Sequence, residues 1–150
     1  MAARVQEADF DIAAEIDALT AGRTDVGAVV TFTGLVREVA GGGDQSLTLE
    51  HYPGMTEKAL AEIEAQAKAR WPLSGSAIVH RVGPLAPGDR IVLVVTASAH
   101  RQAAFEAAEF LMDWLKTKAP FWKRQESAAG ATWVDAREAD DAAAARWGAG

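Results

Sequence analysis

Between Lys116 and Arg124 the chain reads KTKAPFWKR: four cations, no anion, three apolar or aromatic residues and one proline, in a protein of net charge −6. Such a run admits two readings. In one it is a solvated helix end, where lysines complement the negative pole of the helix dipole. In the other it is reactive. Pro120 fixes the backbone between Lys116 and Lys123, and Phe121-Trp122 would anchor the second lysine against the core. Two ammonium groups brought to ~6 Å repel by roughly 3 kcal/mol at an effective dielectric of ~20. Repulsion of that size draws one of them toward neutral pH, where it can act as acid, base or nucleophile.

A second cationic position is His100-Arg101, preceded by Ser98, where a strand pattern gives way to a helix pattern. Free N–H groups at a helix start, beside a histidine and an arginine, can hold an anion. The plainer alternative is a polar helix start capped by Ser98 or His100. Arg37 follows the FTGLV run and Arg137 follows ATWVDA. Arginines at strand ends usually face solvent, so these two carry less weight alone.

Other chemistries lack their residues. With no cysteine in the chain, disulfides, cysteine-ligated metals and thiol nucleophiles are excluded. Gly41-Gly42-Gly43 is not followed by Lys-Ser/Thr, and neither GxGxxG nor G-x-S-x-G occurs. His51, His80 and His100 have no metal-ligand spacing, and His51 and His80 fall in strand patterns as structural histidines. No metal or cofactor is expected. An acidic balance of 21 Asp and Glu against 15 Lys and Arg argues against general nucleic-acid binding. No apolar run reaches the ~18 residues of a membrane span, so no membrane partner and a cytoplasmic location are expected.

The elements that must position these residues follow from periodicity. A helix is expected over 9–19, with Ile12, Ile16 and Leu19 on one face and Asp9 as its cap. Strands are expected at 27–37, 46–52, 76–82, 90–97 and 131–136. Helices are expected over 56–70, with Leu60, Ile63 and Ala67 buried, and over 100–117, with Ala104, Ala108, Leu111, Met112 and Leu115 as the apolar stripe. Gly41 to Asp44 reads as a mobile loop, and Pro84 to Asp89 as a tight turn between neighbouring strands. The order α-β-β-α-β-β-α-β makes a mixed α+β fold. With 150 residues and no linker, one domain spanning 1–150 is expected, its first ~25 residues peripheral and its last few flexible. The five tryptophans are core or interface candidates.

Five strings in order, FTGLVR (32–37), LEHYPGMTEKALAEI (49–63), HRVGPLAPGD (80–89), SAHRQAAFEAAEF (98–110) and MDWLKTKAPFWKR (112–124), resemble the large, catalytic subunit family of molybdopterin synthase. The resemblance runs from about Gly27 to Trp147. It implies an α/β hammerhead with an additional antiparallel β subdomain. It also implies conversion of cyclic pyranopterin monophosphate to the dithiolene of molybdopterin by insertion of two sulfurs. The sulfur arrives as a thiocarboxylate on the C-terminal Gly-Gly of a small ubiquitin-like subunit. Two large subunits form a central homodimer with a small one at each end, a heterotetramer.

By motif, Lys116 and Lys123 resemble the family's two essential lysines, Lys116 toward the thiocarboxylate and Lys123 toward the pterin. Arg37, His100, Arg101 and Arg137 resemble residues that hold the substrate's phosphate and pterin, some of them across the dimer, with Phe32 and Met112 as apolar walls. Where the family commonly continues KR with Glu, this chain has Gln125 and then Glu126. A chain without cysteine cannot carry sulfur on its own side chains, which agrees with delivery by a partner. The competing reading is a non-catalytic module that binds phosphate or a nucleotide in the same cationic pocket, with no need for a sulfur donor.

Overall fold

The computed structural model describes residues 3–38, 46–125, 132–134, 145 and 147, with 123–125 and 132–134 described by their backbone alone. In chain order the elements are β1 (Ala3–Gln6), α1 (Ile12–Thr20), β2 (Ala28–Leu35), β3 (Leu47–His51), α2 (Met55–Arg70), β4 (Leu73–Arg81), β5 (Gly83–Leu85), β6 (Arg90–Ser98), α3 (Arg101–Thr117), β7 (Phe121–Gln125) and β8 (Thr132–Val134). The mixed α+β class is as expected. The glycine loop at 41–44, Arg137 and the acidic C-terminal tail lie outside the described residues.

The strands form two sheets, ordered β1-β4-β6-β2 and β5-β3-β7-β8. In the first, β1 joins β4 in parallel while β4–β6 and β6–β2 are antiparallel. The second is antiparallel throughout. It supplies the antiparallel subdomain that the resemblance implies.

Alternation in the central strands explains the layering. Val92 and Val94 of β6, with Ile78 of β4, face a core shared with Leu60, Ile63 and Ala67 of α2 and Leu111 and Met112 of α3. Leu93 and Val95, with Ala77 and Val79, face the other way, onto Phe10 and the Ile12, Ile16 and Leu19 stripe of α1. Covered on both faces, β6 is a nearly continuous apolar run. Leu47, Leu49 and Leu85 of the second sheet join the first of these cores.

Several boundaries differ from expectation. The α1 cap is Asp11, whose carboxylate accepts from Ala14 N, while the Asp9 carboxylate accepts from its neighbour Phe10 N. The N-terminal residues contribute an edge strand, β1, absent from the sequence reading. The segment expected as a plain turn before Arg90 begins with β5, which leaves the first sheet and pairs with β3 in the second. Only Val82 separates β4 from β5. Gly83 makes the change of direction at φ +85°, a left-handed conformation that side chains disfavour, and a Cβ there would lie 2.7 Å from Glu7 Oε1.

The cationic run at 116–124 is also more ordered than a helix end followed by coil. After α3, residues 121–125 form β7 against β3. Far from it, Arg23 grips Asp25 and donates to the Ser74 carbonyl, and the guanidinium holds the Asp25 carboxyl below its ordinary value.

Candidate active site

Helix α3 carries three of the residues singled out by the sequence. Its first turn follows His100, which occupies the N-cap position without making a side-chain cap bond. Ser98 does not cap either, because its hydroxyl donates to the Pro72 carbonyl at 2.8 Å. No acidic residue lies in the first turn. The N–H groups of this helix start therefore keep their affinity for an anion. His100 and Arg101 are exposed and, with Gln102, Phe105 and Glu106, line an open cavity of about 560 Å³. Phe105, expected to flank the apolar stripe, projects into this cavity's wall at 59% exposure.

Lys116 sits in the last turn of the same helix and is exposed. It lies fifteen positions along the helix from Arg101, about 22 Å at 1.5 Å per residue. Within one chain the two side chains start from opposite ends of the helix and do not converge on one point. Met112, one turn before Lys116, is buried at 8% exposure and belongs to the core. As a wall it could offer a ligand little more than an edge.

Arg37 is exposed just beyond β2. The neighbouring Val36 is pinned by two backbone bonds, its N–H to Asp89 O and its carbonyl from Gly88 N. Register places Ala28 opposite Ser98 and Leu35 opposite Arg90. Arg37 thus lies at the end of the sheet opposite to His100 and Arg101, toward which α3 carries Lys116. Phe32 pairs with Val94 midway along β2 and is 41% exposed.

The backbone of Lys123 lies in the middle of β7, opposite Leu49 on one side and Val134 on the other. Its side chain, like Arg137, lies outside the described residues. The turn that joins it to Lys116 is well held. Lys118 N and Ala119 N donate to Trp114 O, and Phe121 N donates to Ala119 O. The Thr56 hydroxyl donates to Pro120 O at 3.2 Å and accepts from Tyr52 N at 3.0 Å. Phe121 lies flat on the imidazole of His80. Trp122 donates to Glu50 at 2.8 Å and meets the Tyr52 ring.

His80 is the structural histidine that its strand pattern implied: it is buried, and its Nδ1 lies 2.9 Å from Arg81 O. Sequence reasoning passed over Thr56. Its only signal was a hydroxyl at the helix start right after Pro53-Gly54, on the face that the stripe of Leu60 and Ile63 buries. Among the described residues no three His, Asp or Glu side chains gather where a metal ion could be held.

A family model described as "MoaE protein" matches residues 5–118. A molybdopterin synthase catalytic subunit from Ralstonia nicotianae is 59% identical over 146 residues, covering 97% of this chain and 83% of the relative. Among solved structures, a molybdopterin biosynthesis MoaE protein from Burkholderia ambifaria MC40-6 superposes with a TM-score of 0.83 at 52% identity, covering 99% of each chain. The crystal structure of molybdopterin synthase from Staphylococcus aureus superposes with a TM-score of 0.80 at 33% identity, covering 87% of this chain and 95% of the other.

Proposed function

The chain belongs to the MoaE family of molybdopterin synthase catalytic subunits, and from that premise we propose how its residues divide the work. The substrate is cyclic pyranopterin monophosphate, and two sulfurs are inserted to form the dithiolene. Each sulfur is brought as a thiocarboxylate on the C-terminal Gly-Gly of a small ubiquitin-like subunit, since this chain has no cysteine to carry it. The chain acts as one domain. Its proposed compartment is the cytoplasm; among the described residues no helix is long and apolar enough to cross a membrane.

The pocket is shared between two copies. The observation that carries this is the separation along α3: Arg101 and Lys116 are about 22 Å apart. Arg37 is likewise at the far end of the sheet from His100. A twofold pairing of β2 edges resolves both separations. Antiparallel pairing about the middle of β2 would bring Arg37 and Lys116 of one copy to His100 and Arg101 of the other. The edge is suited to it, because β2 is a long outer strand with Val29, Phe32 and Leu35 exposed.

In this arrangement His100, Arg101 and the helix N–H groups take the phosphate, with Arg37 and Arg137 on the phosphate and pterin, Phe32 as an apolar wall and Met112 backing the pocket from the core. Lys116 holds the thiocarboxylate. Lys123, on the pterin side, stabilises the negative charge that grows on oxygen as sulfur attacks carbon, and donates a proton as that oxygen leaves as water. A water molecule then cleaves the acyl–sulfur bond, returning the small subunit's C-terminal carboxylate and leaving the sulfur on the pterin. Two copies with one small subunit at each end make the heterotetramer.

The decisive experiment is dithiolene formation from pyranopterin and thiocarboxylated small subunit by Lys116→Ala and Lys123→Ala. Both are expected to lose activity while remaining folded dimers. Full activity in both would remove these lysines from the chemistry.

A further inference from the structure

We propose that Thr56 is a positioning residue for the sulfur-transfer reaction: its hydroxyl fixes the turn that sets Lys116 and Lys123 relative to each other. The inference rests on the assignment of those two lysines to the chemistry.

Only Lys118, Ala119 and Pro120 lie between the end of α3 and the start of β7. The two lysines are carried by different elements, one by the helix and the other by the second sheet, so their spacing depends on this short connection. Pro120 lacks an N–H and cannot help to anchor the turn as a donor. Its carbonyl can, and it accepts from Thr56 Oγ1 at 3.2 Å.

Thr56 is fully buried in the first turn of α2, and its oxygen also accepts from Tyr52 N at 3.0 Å. The hydroxyl therefore has one orientation that satisfies both neighbours, with its proton directed at Pro120. Through it α2, the end of β3 and the lysine turn are joined at one atom. The other side of the turn is held by a contact of a different kind, the flat stack of Phe121 on His80. Stacking limits tilt but permits sliding in the ring plane, whereas a hydrogen bond to the Pro120 carbonyl restrains both distance and direction.

Reacting groups displaced by about 1 Å can lose about a hundredfold in rate. In the synthase reconstituted with thiocarboxylated small subunit, Thr56→Val keeps the shape and removes the donor. It is expected to lower kcat about tenfold to a hundredfold while KM for the pterin changes less than about twofold. Thr56→Ser restores the donor and is expected to restore kcat to within about twofold of the unsubstituted enzyme. Lysine labelling by limiting acetic anhydride, read by mass spectrometry on the dimer, should show an altered ratio of Lys116 to Lys123 modification in Thr56→Val but not in Thr56→Ser.

Unchanged kcat in Thr56→Val overturns the proposal. So does a loss in Thr56→Ser as large as in Thr56→Val, which would assign the effect to the methyl group and its packing. Should Thr56→Val fail to fold, Thr56→Ser still decides: a tenfold loss there is equally fatal. Lys116→Ala and Lys123→Ala, assayed alongside, tell the two failures apart: full activity in those variants sinks the lysine assignment and the role of Thr56 with it, whereas activity lost there but kept in Thr56→Val sinks the role of Thr56 alone.

Discussion

The imidazole of His80 and the ring of Phe121 lie face to face, their centroids 3.9 Å apart and their planes at 17°. This contact joins β4 of the first sheet to the first residue of the strand that carries Lys123. Aromatic pairs of this kind contribute about 0.5–1.5 kcal/mol beyond the area they bury. Phe121→Ala is therefore expected to destabilise the protein by about 1–3 kcal/mol in urea denaturation. A change within a few tenths of a kcal/mol would mean that the stack is incidental to stability.

Opposite ends of α3 must serve different pockets if two copies share each site. Arg101→Ala and Lys116→Ala homodimers should each be inactive. After subunit exchange, half of the dimers are mixed, and each mixed dimer holds one site free of both substitutions. Activity should then return to about a quarter of the unsubstituted level. No recovery, with exchange verified by mass spectrometry, would place both residues in a site built from one chain.

The outer strand β2 offers its own check. Val29 and Leu35 are exposed at 36% and 58% and take no part in the proposed chemistry. Introducing Val29→Asp and Leu35→Asp together puts repelling charges along the paired edges. Sedimentation should show monomers, and dithiolene formation should fall with the dimer fraction. A persistent dimer would move the subunit contact elsewhere on the surface.

Below the central sheet, Ser76 Oγ donates to Glu64 Oε2 at 2.5 Å, with both residues buried. Ser76→Ala leaves a buried carboxylate oxygen without its donor, a loss of about 1–3 kcal/mol. Ser76→Thr keeps the hydroxyl at the cost of one methyl group. Equal loss in the two variants, measured by urea denaturation, would point to packing rather than the hydrogen bond.

The sequence made α2, α3 and β6 legible because their apolar spacing is dictated by local geometry. The Leu60, Ile63 and Ala67 stripe is buried as its period requires. β1, β5 and β7 were not legible. ARVQ has a single large apolar residue, GPL is three residues with a proline, and FWKRQ carries two cations and a glutamine after its aromatic pair. Each becomes a strand through backbone pairing with a partner distant in sequence, information that no local pattern holds. The proline of β5 is tolerated because β5 is an outer strand of its sheet.

For the site, residue types were readable and distances were not. The cations of α3 read as one pocket, although helix length alone places Arg101 and Lys116 far apart. The link from Thr56 to Pro120 spans 64 residues and depends on a threonine that resembles any other helix-start hydroxyl.

Gly83 has one further consequence. The splice between the two sheets has a single intervening residue, so it has no slack. The chain passes from one sheet to the other at a position without a Cβ, beside the Glu7 side chain. A side chain introduced at this position would have to adopt a left-handed backbone and displace Glu7, so the heading of one sheet relative to the other depends on a residue that only glycine fills without strain.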